Sequence, residues 1–321
     1  MKKTLSALLV VSLLFSFGCR QKSQDDVGTT ELKGTITLSG AWALYPMVVK
    51  WGEEFQKIHP NVRIDIAAGG AGKGMADALA KVVDLGMVSR EIYPEEVEKG
   101  AWWVSVTKDA VVPTINEENP VLENLLIKGI KKETLTGIWI TGKIKNWREV
   151  IEGEDKHAIH IYTRSDACGA AKTWAKFLGG KQEDLLGIGV YGDPGVAEAV
   201  RKDNLGIGYN NINYAYDSKT KKQIKGITVV PVDFNGNGKI NEDENFFETR
   251  EDIVKAISTG KYPSPPARDL HLVSQGKPGR KVVIEFLKWV LTKGQQYIPE
   301  AGYIDLEEKR LEEELKKFEG D

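Results

Sequence analysis

Three times in this chain a β-rich run ends in a few small residues that open a helix-like run. Gly34 to Leu38 passes through Ser39-Gly40-Ala41 into Pro46 to Ile58, where Val48, Trp51, Phe55 and Ile58 share one stripe. Val62 to Ile66 passes through Gly69-Gly70-Ala71-Gly72 into Met75 to Lys81. Ala158 to Tyr162 passes through Arg164 to Ala170 into Lys172 to Leu178. Repeated strand–loop–helix order predicts an α/β fold around a largely parallel sheet.

The rest of the chain extends the pattern. Residues 82–88, 104–115, 187–191, 207–209 and 227–232 read as strands. Residues 132–139, 147–151, 251–258, 282–291 and 306–318 read as helices, the last a solvated amphipathic one. No linker rich in Pro, Gly or Ser divides the body. A chain of 321 residues is long enough for two lobes. Without a linker, the chain is expected to cross between them twice, near 110–116 and 227–233. That makes lobe I residues 32–112 plus 230–321, and lobe II residues 113–229.

The first residues read as an address. Lys2 and Lys3 precede an apolar run to Phe17 that is too short to span a bilayer comfortably. Ser16-Phe17-Gly18-Cys19 resembles the lipobox of bacterial lipoproteins, although Ser16 and Phe17 depart from it. The expectation is a signal peptide over 1–18, acylation of Cys19, and a polar tether over 19–31 that leads to the body. A simple secreted protein cut nearby is the alternative. Two cysteines make no disulfide scaffold, and a formal charge of -2 gives no electrostatic case for nucleic-acid binding.

The three loops carry the chemistry. Each leaves the first N–H groups of a helix unpaired, and these, with the helix dipole, bind anions. Small residues let a ligand approach the backbone closely. Lys73, Arg90 and Arg164 lie beside them. A nucleotide site is excluded: the phosphate-cradling spacing fails at Ala67 and Gly74, and no dinucleotide fingerprint occurs. Cys168, at a helix start, reads either as a reactive thiol of lowered pKa or as a small buried residue. Trp42 either walls a ligand from water or caps a lobe.

Five segments resemble the phosphate-binding lipoproteins of ABC phosphate importers, the PstS-like group. They are TLSGAWALYPMVVKW, AAGGAGKGMADAL, VDLGMVSRE, YTRSDACGA and LGIGYNNINYAY. The resemblance implies a two-lobed periplasmic-binding-protein (Venus-flytrap) fold, an inorganic oxyanion in the cleft, delivery to an ABC permease, and a monomer. It places ligand contacts at Ala41, Trp42, Ala71, Gly72, Ser89, Arg164, Cys168, Gly169 and Ala170; Arg90 and Asp166 join them as charged neighbours. The family usually has hydroxyls where Ala41, Ala43, Ala71, Lys73, Cys168 and Ala170 stand here. Their loss leaves phosphate open to competition from sulfate, molybdate or tungstate. Asp166 and Glu91 are the acids available to accept the proton of hydrogen phosphate. For Asp166 the alternative is a structural partner of Arg164.

Residues 233–244 match a twelve-residue calcium loop position by position. Asp233, Asn235 and Asn237 stand at positions 1, 3 and 5, and Gly238 at the turn. Lys239 offers a carbonyl at position 7, Ile240 the apolar anchor at 8, Asn241 a water-mediated contact at 9, and Glu244 a bidentate carboxylate at 12. Weak structural calcium binding is expected, without the usual entering helix. No catalytic constellation appears: His59, His157, His160 and His271 are scattered, and neither a zinc-peptidase nor a serine-hydrolase motif occurs. The expectation is therefore a lipid-anchored oxyanion-binding protein in the periplasm or at the outer face of the cell membrane. An anion-sensing lipoprotein and, more remotely, a phosphatase are the alternatives.

Overall fold

A computed structural model describes residues 31–151 and 156–319. The signal peptide, Cys19 and most of the tether lie outside the described residues. Eleven strands run in chain order: β1 (Gly34–Gly40), β2 (Val62–Ala68), β3 (Leu85–Val88), β4 (Ala101–Asn116), β5 (Ile130–Lys131), β6 (His160–Arg164), β7 (Ile188–Val190), β8 (Gly206–Asn211), β9 (Ile227–Val229), β10 (Val232–Asp233) and β11 (Ala267–Gln275). The main sheet has the order β2-β1-β3-β11-β4-β8-β6-β7, with β9 also on β4. A separate pair joins β5 to β10.

The sheet is mixed rather than largely parallel. β1 to β3 pair in parallel, as do β6, β7 and β8. β4 and β11 run antiparallel to their neighbours and join the two parallel groups. β4 does so by length. It pairs with β11 through residues 101–110 and with β8 through 111–115.

Among the described residues two large apolar cores follow from this, beside a small third cluster of Val196, Val200 and Ile227. One gathers Leu38, Trp51, Phe55, Met87, Leu270 and Phe286. The other gathers Ile115, Trp139, Trp174, Tyr209, Phe247 and Tyr262. β4 passes from the first core, through Val104 and Val106, to the second, through Ala110 to Val112 and Ile115. The return does not lie at 227–233. β10 pairs with β5 inside the second lobe, and Phe246, Phe247, Ile253 and Tyr262 belong to its core. The chain returns only as it enters β11, whose Leu270, Leu272 and Val273 lie in the first core. Lobe II therefore spans about 110–267.

The long helix α1 (Tyr45–Ile58) buries Met47, Val48, Trp51 and Phe55, whereas Ile58, the last residue of the expected stripe, is exposed at the helix end. α2 (Ala71–Leu79) begins four residues earlier than its apolar period suggested, directly at the small-residue loop. The last helix, Glu308–Lys316, is docked rather than solvated. Glu314 is fully buried between Arg310 and Lys317. Phe318, just beyond the helix, stacks edge-on to Trp102.

Candidate functional site

The small-residue loops of the two lobes touch. The Gly72 N–H donates to the Ala167 carbonyl at 2.9 Å, a backbone bond from one lobe to the other. A Cβ on Gly70 would stand 2.7 Å from Asp166 Oδ2, and one on Gly169 would stand 2.2 Å from Ser89 O and Oγ. Glycine at these two positions lets the first turn of α2, the first turn of the helix Gly169–Leu178, and Ser89 meet.

Free backbone donors remain at this junction. Among the described residues, the N–H groups of Ala71, Gly169 and Ala170 have no protein acceptor. Those of Trp42 and Ala43 are also free of one. Two expected contacts are corrected here. Ala41 donates its N–H to Met87 O at 2.8 Å, completing the sheet, so it has none for a ligand. Gly72 uses its N–H between the lobes.

Arg164 is the charged centre. It lies at the end of β6 with its side chain 1% exposed. Nε and Nη2 donate to the two oxygens of Asp166 at 2.7 and 2.6 Å; Nη1 donates to Asp193 Oδ2 at 2.5 Å. A guanidinium has five N–H groups, so two remain for a ligand. Burial opposes its charge, but Asp193 and Asp166 outweigh that and keep it firmly protonated. Asp166 thus holds Arg164, the structural role weighed for it. Its Oδ1 also accepts the Gly192 N–H at 3.2 Å. Asp193, which the sequence reading missed, accepts the Asn211 N–H on its other oxygen. No motif marks it; it follows a Tyr-Gly turn.

Arg90, Glu91 and Lys73 are engaged in ion pairs. Arg90 is buried and pairs with Glu96 at 2.6 Å over the Tyr93 ring, so it is not solvated. Glu91 is exposed and pairs with Lys176 of the other lobe. Lys73 pairs with Asp77 on its own helix. Cys168 is not a reactive thiol. Burial pushes it up to about 12, and its Sγ accepts the Ala171 N–H as a helix cap. Trp42 packs across the cleft, its ring edge-on to Tyr191 at 6.1 Å and against Gly192. Its carbonyl accepts the Tyr214 hydroxyl.

Beside Ser89 a cavity of about 710 Å³ opens between the lobes. Arg90, Tyr93 and His271 line it from one side, Lys172 and Lys176 from the other, and Arg268 where the chain returns. Burial and the nearby Arg90 lower the pKa of Lys172. Glu91, Glu183 and Asp269 line the same cavity, so its wall carries both signs of charge.

The family model for the PBP superfamily domain matches residues 26–293. The chain belongs to the PBP superfamily. Phosphate-binding protein PstS of Methanocaldococcus jannaschii is 27% identical, with 95% of this chain and 91% of that protein covered. Phosphate-binding protein PstS of Bacillus subtilis is 26% identical, with 97% and 96% covered. Among solved structures, a Clostridium perfringens protein with bound phosphate superposes at a TM-score of 0.69 and 22% identity, covering 85% of this chain and all of that one. This likeness establishes the two-lobed fold of the superfamily. Within it, the junction described above lies where the lobes meet. No described helix is long and apolar enough to cross a membrane.

Proposed function

We propose that this chain is an extracytoplasmic binding protein that captures inorganic phosphate and delivers it to an ABC importer. The observation that carries this reading is the meeting of two helix N-termini and Ser89 at a buried arginine held by two carboxylates. Free N–H groups at Ala71, Gly169 and Ala170 supply donors aligned with two helix dipoles. Arg164 supplies the full charge. Hydrogen bonds to a charged group contribute about 1.5–3 kcal/mol each, so a few backbone donors substitute for the missing hydroxyls.

Proton recognition falls to Asp166 and Ser89. Glu91 is withdrawn to the exposed edge, whereas the Asp166 side chain is 6% exposed and lies against Gly70. A carboxylate oxygen has two acceptor sites, so Asp166 can hold Arg164 and still accept the proton of hydrogen phosphate. Sulfate offers no such proton at neutral pH. Ligand bound between the lobes favours the closed arrangement over an open one. In this reading Cys19 carries a lipid that tethers a monomer to the membrane, and no chemistry is performed on the anion. Cys19→Ala should release the protein from membranes.

The test is calorimetric titration of residues 20–321 after unfolding and refolding to strip bound anion. Phosphate should bind at least a hundredfold more tightly than sulfate, molybdate or tungstate, and Arg164→Ala should abolish tight binding. Preference for another oxyanion would reassign the ligand. Arg164→Ala binding within tenfold of the parent would displace the site.

A further inference from the structure

The twelve-residue motif at 233–244 has no role in the proposed anion capture, yet it folds as a loop closed on the Glu244 carboxylate. β10 delivers Asp233 to its start by parallel pairing with β5, Asp233 opposite Lys131. Gly238, the sixth position, has φ of 83°, the sharp turn that only glycine makes freely. Ile240, the eighth, donates its N–H to Ile127 O at 2.9 Å, and its side chain packs over Gly129. Glu244, the twelfth, reaches back to within 2.9 Å of the Asn235 amide and 3.1 Å of the Asn241 amide. Positions 3, 9 and 12 therefore meet around one carboxylate.

Charge supplies an independent observation. Asp233 is 2% exposed and Glu244 5% exposed. The hydrogen bonds they accept come from neutral groups of the loop: the Gly236 and Gly238 N–H groups donate to Asp233, and Phe234, Asn235 and Asn241 donate to Glu244. Elsewhere in this protein buried carboxylates have a basic partner: Asp193 has Arg164, Asp109 has Arg268, and Glu314 has Arg310 and Lys317. Neutral donors stabilise two buried carboxylates without neutralising them, so a charge is left to be compensated.

We propose that residues 233–244 bind one calcium ion. Asp233, Asn235, Asn237, the Lys239 carbonyl and Glu244 supply the oxygens, and Asn241 acts through water. The donor set is all oxygen, without His or Cys, which suits a hard cation and not a transition metal. Amide and carbonyl oxygens outnumber carboxylates, so the dissociation constant falls on the order of 10⁻⁴–10⁻³ M, the range of extracellular modules. The Asn235 and Asn241 amides, which point their NH₂ groups at Glu244, turn their oxygens inward when the ion is bound. The loop also braces the crossing between lobes. Phe234, its second residue, stacks edge-on to Tyr262 at 5.7 Å, and the Tyr262 hydroxyl donates to Val111 O on β4 at 2.6 Å.

The experiment uses residues 20–321, freed of metal by a chelator, in phosphate-free buffer. Equilibrium dialysis against calcium should retain one ion per chain, half-saturated on the order of 10⁻⁴–10⁻³ M. Calcium at tenfold or more above that value should raise the melting temperature by about 3 °C or more, and equal magnesium should not. Glu244→Gln should remove both effects and leave phosphate binding unchanged. The exposed neighbour Glu242→Gln should keep both. No ion retained by the parent protein, or a full calcium response in Glu244→Gln, overturns the proposal. Dialysis of the parent decides occupancy even where a variant fails to fold.

Discussion

Arg164 Nη1 lies 2.5 Å from Asp193 Oδ2, with both side chains 1% exposed, so the guanidinium is fixed in place. Asp193 is fixed in turn by the Asn211 N–H, and the Asn211 side chain accepts from Arg268. Arg268 lies 3.6 Å from Asp109 at the crossing. A chain of buried polar groups therefore runs from the site to the point where the lobes join. Arg164→Lys should break it, because an ammonium cannot span Asp166 and Asp193 in the planar fork of a guanidinium. Leaving one buried carboxylate without its partner costs about 3–5 kcal/mol. The expected outcome is a lower melting temperature together with phosphate affinity reduced more than tenfold. Unchanged affinity would remove Arg164 from the binding site.

Gly169→Ala separates closure from folding. The added methyl would sit 2.2 Å from Ser89, a residue of the other lobe, so the clash exists only when the lobes meet. Within its own lobe the substitution places alanine at the first position of a helix, which is harmless. The variant should melt within about 2 °C of the parent without ligand and lose at least a hundredfold in phosphate affinity. Paired melting and titration curves check this. A stable variant that binds as the parent does would mean that the lobes close differently.

The sequence made the scaffold legible where apolar spacing is regular. The helices Lys132–Trp139 and Trp147–Ile151 lie where their periodicity places them. β11 was unreadable because Arg268, Asp269 and His271 interrupt its apolar alternation. Arg268 and His271 are tolerated there because they face Asp109 and Ser105 on β4. The helix Gly192–Lys202 was hidden by Gly192, Pro194 and Gly195, which read as a turn. The three loops were visible as candidate anion sites. Which N–H groups are free was not, since Gly72 is engaged by Ala167, a residue far along the chain. The partners of a buried arginine are likewise a tertiary fact.

Cys168 should be inert. The thiol is buried at a helix N-cap and titrates at about 12, far above a free thiol. In residues 20–321 it is the one cysteine. A thiol reagent at pH 8 should label less than a tenth of the native protein over an hour and label it fully once unfolded. Cys168→Ser should keep phosphate affinity within about threefold, because the hydroxyl caps the same helix. Rapid labelling of the native protein would contradict the buried cap.

His271 and Asp109 should drive stability in opposite directions with pH. Burial, with Lys317, Arg310 and Arg90 nearby, lowers His271 to about 3. The unfolded chain then binds a proton that the folded chain refuses. Stability from this residue is complete above pH 6.5 and is lost as the pH falls toward 3. Burial raises Asp109 to about 7 against the attraction of Arg268. Here the folded chain holds the extra proton, so its contribution is complete below about pH 4 and is lost as the pH rises through 7. His271→Asn should therefore flatten the acid limb of a melting-temperature profile, and Asp109→Asn should flatten the decline between pH 4 and 7. The two effects offset each other between pH 4 and 6.5, so the parent profile should be broad there and each variant should tilt it with opposite sign. Parallel profiles for the two variants would show that neither group titrates as its burial dictates.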